Sequence, residues 1–99
     1  MYRRIVTYNF ESDETRNSFV ELLIGLGFEE QPDQSTYAQG TRNPRTLGRL
    51  KNAINAWSRD KELSEDDSVQ IYFLTRINER ETLIDRCVMY YSGRYSDLR

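Results

Sequence analysis

The chain switches between a strand-like and a helix-like hydrophobic period. From Arg3 to Phe10, the β-branched or aromatic residues Ile5, Val6, Thr7, Tyr8 and Phe10 predict a central strand. Ser12-Asp13-Glu14 reads as a helix start, a capping side chain followed by acids in the electropositive first turn. Phe19, Leu22, Leu23 and Leu26 then fall at i, i+3, i+4 and i+7, the apolar stripe of an amphipathic helix. Gly25 and Gly27 end it, because glycine tolerates the left-handed conformation common at helix C-termini.

Two short strands are expected next, Phe28–Gln31 and Gln34–Gln39, joined at Pro32-Asp33. Proline has no amide to donate, so its strand should sit at an edge or break there. Asn43-Pro44 predicts the cap and first residue of a second helix. Leu47, Leu50, Ile54 and Trp57 form its apolar stripe, with Arg45, Arg49 and Asn52 on one flank and Lys51, Asn55 and Arg59 on the other. Gly48 weakens this helix by ~1 kcal/mol relative to alanine. Val69–Leu74 is a strand, Asn78–Glu81 a polar turn, and Thr82–Tyr91 alternates as one more strand before a short polar tail. The order β-α-β-β-α-β plus a C-terminal strand predicts a single α+β domain over residues 1–99, a ferredoxin-like sandwich of two helices on one sheet.

Composition sharpens this outline. Leu, Ile, Val and Phe together are scarce enough to imply a thin core, which favours completion by a partner surface. With no His and one Cys, zinc sites, Cys–His nucleophiles and His acid–base chemistry are excluded. Carboxylate chemistry and binding remain. A lone cysteine suits a reducing cytoplasm, and neither a signal peptide nor a run of ~18 apolar residues suggests a membrane.

The net charge of -2 conceals segregation. Of the 14 basic residues only Lys51 and Lys61 are not Arg, the side chain whose planar fork binds phosphate and carboxylate bidentately. Arg42, Arg45, Arg49, Lys51 and Arg59 lie in a stretch from Thr36 to Arg59 that holds no acid. Asp60, Glu62, Glu65, Asp66 and Asp67 follow at once. The basic block is a candidate footprint for nucleic acid, or else a solvated helix face balanced by its neighbours.

Particular positions go further. Tyr8-Asn9-Phe10-Glu11-Ser12-Asp13-Glu14-Thr15-Arg16, Gly27-Phe28, Gln34-Ser35-Thr36-Tyr37 and Asp67-Ser68-Val69-Gln70-Ile71-Tyr72 occur in an order and spacing that resemble one family. It is the small ferredoxin-fold subunit of the CRISPR spacer-acquisition machinery, with its relatives among VapD-type toxin ribonucleases. The resemblance covers about residues 2–75. It implies a homodimer whose C-terminal strand, here Thr82–Tyr91, pairs with the other protomer. It also implies a divalent cation (Mg or Mn) held by an aspartate at the end of the first strand, where this chain has Asn9.

Asparagine offers a neutral carbonyl and an amide donor, so the hard cation loses its anionic ligand. Glu11 and Asp13 are the nearby substitutes, Asp13 the candidate metal ligand, although a helix-start charge and a solvated loop acid explain them as well. Asn9, Glu11 and Asp13 are the candidate catalytic residues. Arg16 either contacts phosphate or pairs with Asp13. Ser35 lacks an activating base and is assigned to packing or hydrogen bonding. Trp57 and Cys87 are read as core. Tyr90, Tyr91 and Tyr95 with Arg94 could stack on bases, or the first two could sit on opposite sheet faces.

The expectation is a cytoplasmic, homodimeric nucleic-acid-binding protein of a defence or toxin–antitoxin setting. Arg42, Arg45, Arg49, Lys51 and Arg59, with Arg16 secondary, would meet the phosphate backbone of a duplex without reading bases. The alternatives are a metal-dependent endoribonuclease and a protein-interaction module whose basic helix meets an acidic partner.

Overall fold

The computed structural model describes residues 2–33, 35–41, 46–61, 63–90 and 96–98. In chain order the elements are β1 (Tyr2–Asn9), α1 (Asp13–Gly25), β2 (Glu29–Glu30), β3 (Thr36–Thr41), α2 (Thr46–Ser58), β4 (Ser68–Ile77), β5 (Arg80–Tyr90) and β6 (Ser96–Leu98). They form an α+β unit with one sheet in the order β2-β3-β1-β4-β5-β6, every neighbouring pair antiparallel. The arrangement is compatible with a ferredoxin-like sandwich. No helix among the described residues is long and apolar enough to cross a membrane.

Strand alternation decides which face is covered. Val6 stands opposite Tyr37 on one side and Ile71 on the other, and Ile71 stands opposite Cys87. These residues, with Val69 and Met89, form one core cluster with Phe19 and Leu23 of α1 and Leu50 and Ile54 of α2. Both helices therefore pack on the same face. Burying each such side chain contributes roughly 1.5–3 kcal/mol.

Aromatic rings lock this layer. Phe19 makes edge contacts with Tyr8, Phe10 and Trp57, at centroid distances of 5.3, 5.1 and 5.0 Å. Trp57 Nε1 donates to Ser18 Oγ at 3.0 Å, tying α2 to α1. At the far end of α1, the half-buried Arg4 lies over the Phe28 ring and donates to Gln39 Oε1, while Gln39 Nε2 donates to Leu26 O. Desolvation lowers the Arg4 pKa from its ordinary value. Gly27, at φ +90, leaves room for this bridge, because an added Cβ would lie 2.7 Å from Gln39 Nε2.

Several boundaries differ from those the pattern predicts. Ser12 does cap α1, accepting from Thr15 N, but Leu26 is 37% exposed because α1 has ended before it. β2 keeps only Glu29–Glu30, as Pro32 stops the pairing. The last hairpin turns tightly at Asn78-Glu79, both at positive φ, so β5 begins at Arg80 rather than Thr82. β6 falls in the stretch that reads as polar tail, because three residues carry no periodicity. The Asn43-Pro44 cap, Arg42, Arg45, Tyr91, Arg94 and Tyr95 lie outside the described residues, as do the side chains of Leu47 and Tyr90.

Two positive φ angles in a two-residue hairpin loop suit asparagine followed by glycine. Glu79 occupies the glycine place, at φ 67. Glu79→Gly is expected to stabilise the fold by about 0.5 kcal/mol, a release of local strain partly offset by unfolded-chain entropy. Urea denaturation monitored by Trp57 fluorescence measures it, and an unchanged or lower midpoint contradicts the argument.

Candidate nucleic-acid interface

The end of β1 places the first group of candidate residues. Asn9 is exposed at the last strand position, opposite Ser68 of β4, and Phe10 turns into the core. Beyond it the chain is held by Asp67, whose side chain is buried. Asp67 Oδ1 accepts from Glu11 N at 2.9 Å and Ser64 Oγ at 3.0 Å, and Oδ2 accepts from Ser64 N at 2.9 Å. This carboxylate clamps the β1–α1 loop to the loop before β4. Nothing local singles it out among the five acids between Asp60 and Asp67, since only the tertiary fold brings Glu11 to it.

Asp13 and Arg16, one helical turn apart, form an ion pair on α1. A second Arg16 nitrogen donates to Phe10 O at 3.1 Å. Arg16 thus pairs with Asp13. The side chain still lines an open cleft of about 490 Å³ with Tyr8, Asn9, Phe10, Glu30 and Ser35. Asn9, Arg16 and Ser35, far apart in sequence, meet here; Glu11 and Asp13 are not part of its lining. Ser35 adopts φ 59, the left-handed region a non-glycine residue rarely enters.

Glu30 is a cleft residue that the sequence pattern does not flag. Its signal is weak, one of two adjacent glutamates in a strand of two residues. Its position opposite Tyr37 has an electrostatic consequence. Tyr37 is held above the ordinary phenol pKa, first by desolvation and then by the negative charge of Glu30 and the nearby Tyr8.

A divalent cation does not fit the end of β1 within one protomer. Asn9 is neutral, Asp13 is neutralised by Arg16, and Glu11 is exposed with its backbone turned to Asp67. Among the described residues no three His, Cys, Asp or Glu side chains gather closely enough to hold a metal ion.

The second group lies on α2. Leu50 and Ile54 are buried and Trp57 packs against them, so the opposite side faces water. Arg49, Asn52, Ala56 and, just past the helix, Arg59 are exposed at spacings of three, four and three residues. Arg59 follows directly on the last helical residue, Ser58, and is exposed like Arg49. Lys51 is half-buried and has an interaction partner. Asp60, beside Arg59, is drawn towards Lys61, with 3.8 Å between the charged atoms.

The chain matches no family model, no curated protein and no solved structure. Its chemistry therefore rests on geometry alone.

Two outcomes test this geometry. Asp67→Ala strands two backbone amides and a hydroxyl, and a loss of about 2–4 kcal/mol is expected in denaturant unfolding. A loss below about 0.5 kcal/mol would mean the clamp contributes little. The second outcome concerns Tyr37. Its neutral form is favoured in the fold, so its contribution is complete below the unfolded phenol pKa of about 10 and is lost as pH rises through the folded value. Glu30→Gln is expected to bring the Tyr37 ionisation, followed by ultraviolet absorbance against a Tyr37→Phe control, partway back to normal. An unmoved titration would leave desolvation as the whole cause.

Proposed function

We propose that this protein binds nucleic acid by holding backbone phosphates on the outer stripe of α2, and that it acts as a homodimer. The observation that carries the reading is the exposure of Arg49 on α2 and of Arg59 directly after it, with no acid in the helix between. Arginine forks presented to water on a rigid helix suit phosphate oxygens, and such contacts are blind to base sequence. Arg42 and Arg45 would lengthen the same basic segment in sequence.

The strand order, β2-β3-β1-β4 with two helices on one face, supports a ferredoxin-like reading. With it goes the proposed kinship to the small CRISPR adaptation subunit and VapD-type ribonucleases. Asn9 and the Asp13–Arg16 pair favour binding without efficient cleavage. For the dimer, the supporting observation is the outer edge of β5. β6 pairs only with Val88 to Tyr90, and no described strand pairs with the outer edge from Arg80 to Cys87, where Leu83 and Ile84 are 52% and 50% exposed. An unpaired edge with exposed aliphatic side chains is a template for a second strand.

Reversing both charges, Arg49→Glu with Arg59→Glu, should weaken duplex binding at least tenfold at low salt. It should also reduce the slope of log affinity against log salt by about 2, since each neutralised phosphate contributes about 0.9 to that slope. Fluorescence anisotropy across a salt series reads both, with circular dichroism confirming the fold. Unchanged affinity would remove the basic stripe from the interface, and salt-insensitive capture of an acidic protein would favour the interaction module. For the dimer, light scattering should give twice the chain mass of 11.8 kDa, falling to the monomer in Leu83→Lys with Ile84→Lys. A monomeric parent protein would refute the edge pairing.

A further inference from the structure

The sheet has a second face, opposite the helices, and strand register maps it. One row across β1, β4 and β5 reads Arg3, Leu74, Leu83; the next reads Ile5, Tyr72, Arg86; the third reads Thr7, Gln70, Val88. Both helices pack on the other side, so no described helix covers this grid, although Val88 at its β5 corner is buried. Tyr72 is at its centre, half-buried, with Ile5 on one side and Arg86 on the other. Its hydroxyl donates to Gln70 Oε1 on the same strand and the same face. The side chain is thereby tied back along its own strand, on the face that carries no described helix.

The charges around the ring are of one dominant sign. Arg86 and Arg76 are exposed, and Arg3 is partly so. Glu81 stands opposite Arg76 at the margin of the grid and is engaged by Arg3 at 2.8 Å. Glu29 lies on the same face but at the far β2 edge, opposite Ala38. A ring between an aliphatic side chain and an exposed guanidinium on a helix-free sheet face offers a platform for an unpaired base with a phosphate partner beside it. A duplex cannot use it, since its bases already stack on one another. Sheets that carry outward aromatic rings commonly read single strands in this way.

We propose that this helix-free face binds single-stranded nucleic acid around Tyr72, with Tyr72 stacking on a base and Arg86 and Arg76 meeting the backbone. The inference rests on the nucleic-acid reading and assigns to it a single-stranded ligand and a surface separate from α2.

The test measures anisotropy of a labelled 12-nucleotide single strand, as RNA and as DNA, and of a 12-base-pair duplex. Tyr72→Ala should weaken single-strand binding on the order of tenfold, within the range that base–aromatic stacking supplies. Duplex binding should stay within twofold. Tyr72→Phe keeps the ring and should retain at least half the affinity. Because Tyr72 is half-buried, Arg86→Glu at an exposed position provides a second measurement and should weaken the single strand severalfold. Single-strand affinity unchanged in both Tyr72→Ala and Arg86→Glu overturns the proposal while leaving the α2 interface standing. So does a Tyr72→Ala protein that loses dimer mass yet binds oligonucleotides normally, which would assign the face to a second copy. Failure of the parent protein to bind any oligonucleotide overturns the nucleic-acid reading itself.

Discussion

Phe19 is where the fold is held together. Its ring meets Tyr8 and Phe10 from the end of β1 and Trp57 from α2, all within 5.3 Å between centroids. A chain poor in aliphatic residues concentrates its packing in these few large rings, each burying far more area than a valine. Because the cluster draws α1 and α2 to one side of β1, both helices must lie on the same face of the sheet. The polar bonds at its margin, Trp57 to Ser18 and the Asp67 clamp on Glu11, then set how the loops leave it.

The functional geometry descends from that one-sided packing. With its apolar stripe turned to the rings, α2 turns Arg49 and Arg59 to water, and the helix interior carries no acid to quench them. The opposite sheet face, left without a described helix, presents Tyr72 among arginines. With both described helices on one face of its sheet, the domain exposes arginines on two distinct surfaces, although its net charge is -2. The acids are not idle in this partition. Asp67 is consumed as a loop clamp, Asp13 neutralises Arg16, and Glu81 pairs with Arg3.

Much of the fold is legible in the sequence because it rests on local pattern. The helix stripes at Phe19–Leu23 and Leu50–Trp57, the Ser12 cap and the strand at Val69–Leu74 follow from side-chain periodicity and capping chemistry. Arg49 and Arg59 are legible as cations, but their exposure is not, because it depends on which face of α2 the sheet covers. Ser35 and Asn9 stand out separately, and nothing local says that they meet Arg16 and Glu30 in one cleft. β6 leaves no trace in the pattern because a three-residue strand is defined by its neighbour and not by its own composition.

The division has a physical basis. Periodicity, capping residues and charge runs act over a few positions, so the sequence by itself determined the element types, the one-cysteine, no-histidine chemistry and the segregation of its charges. Burial of a carboxylate, the direction of a tyrosine ring and the convergence of side chains depend on contacts across many residues. Asp67 meeting Glu11 spans 56 positions, and Arg3 meeting Glu81 spans 78. Those distances close only when β1 takes its place between β3 and β4, so only the tertiary structure decided which acids are paired within the protein and which arginines are left exposed.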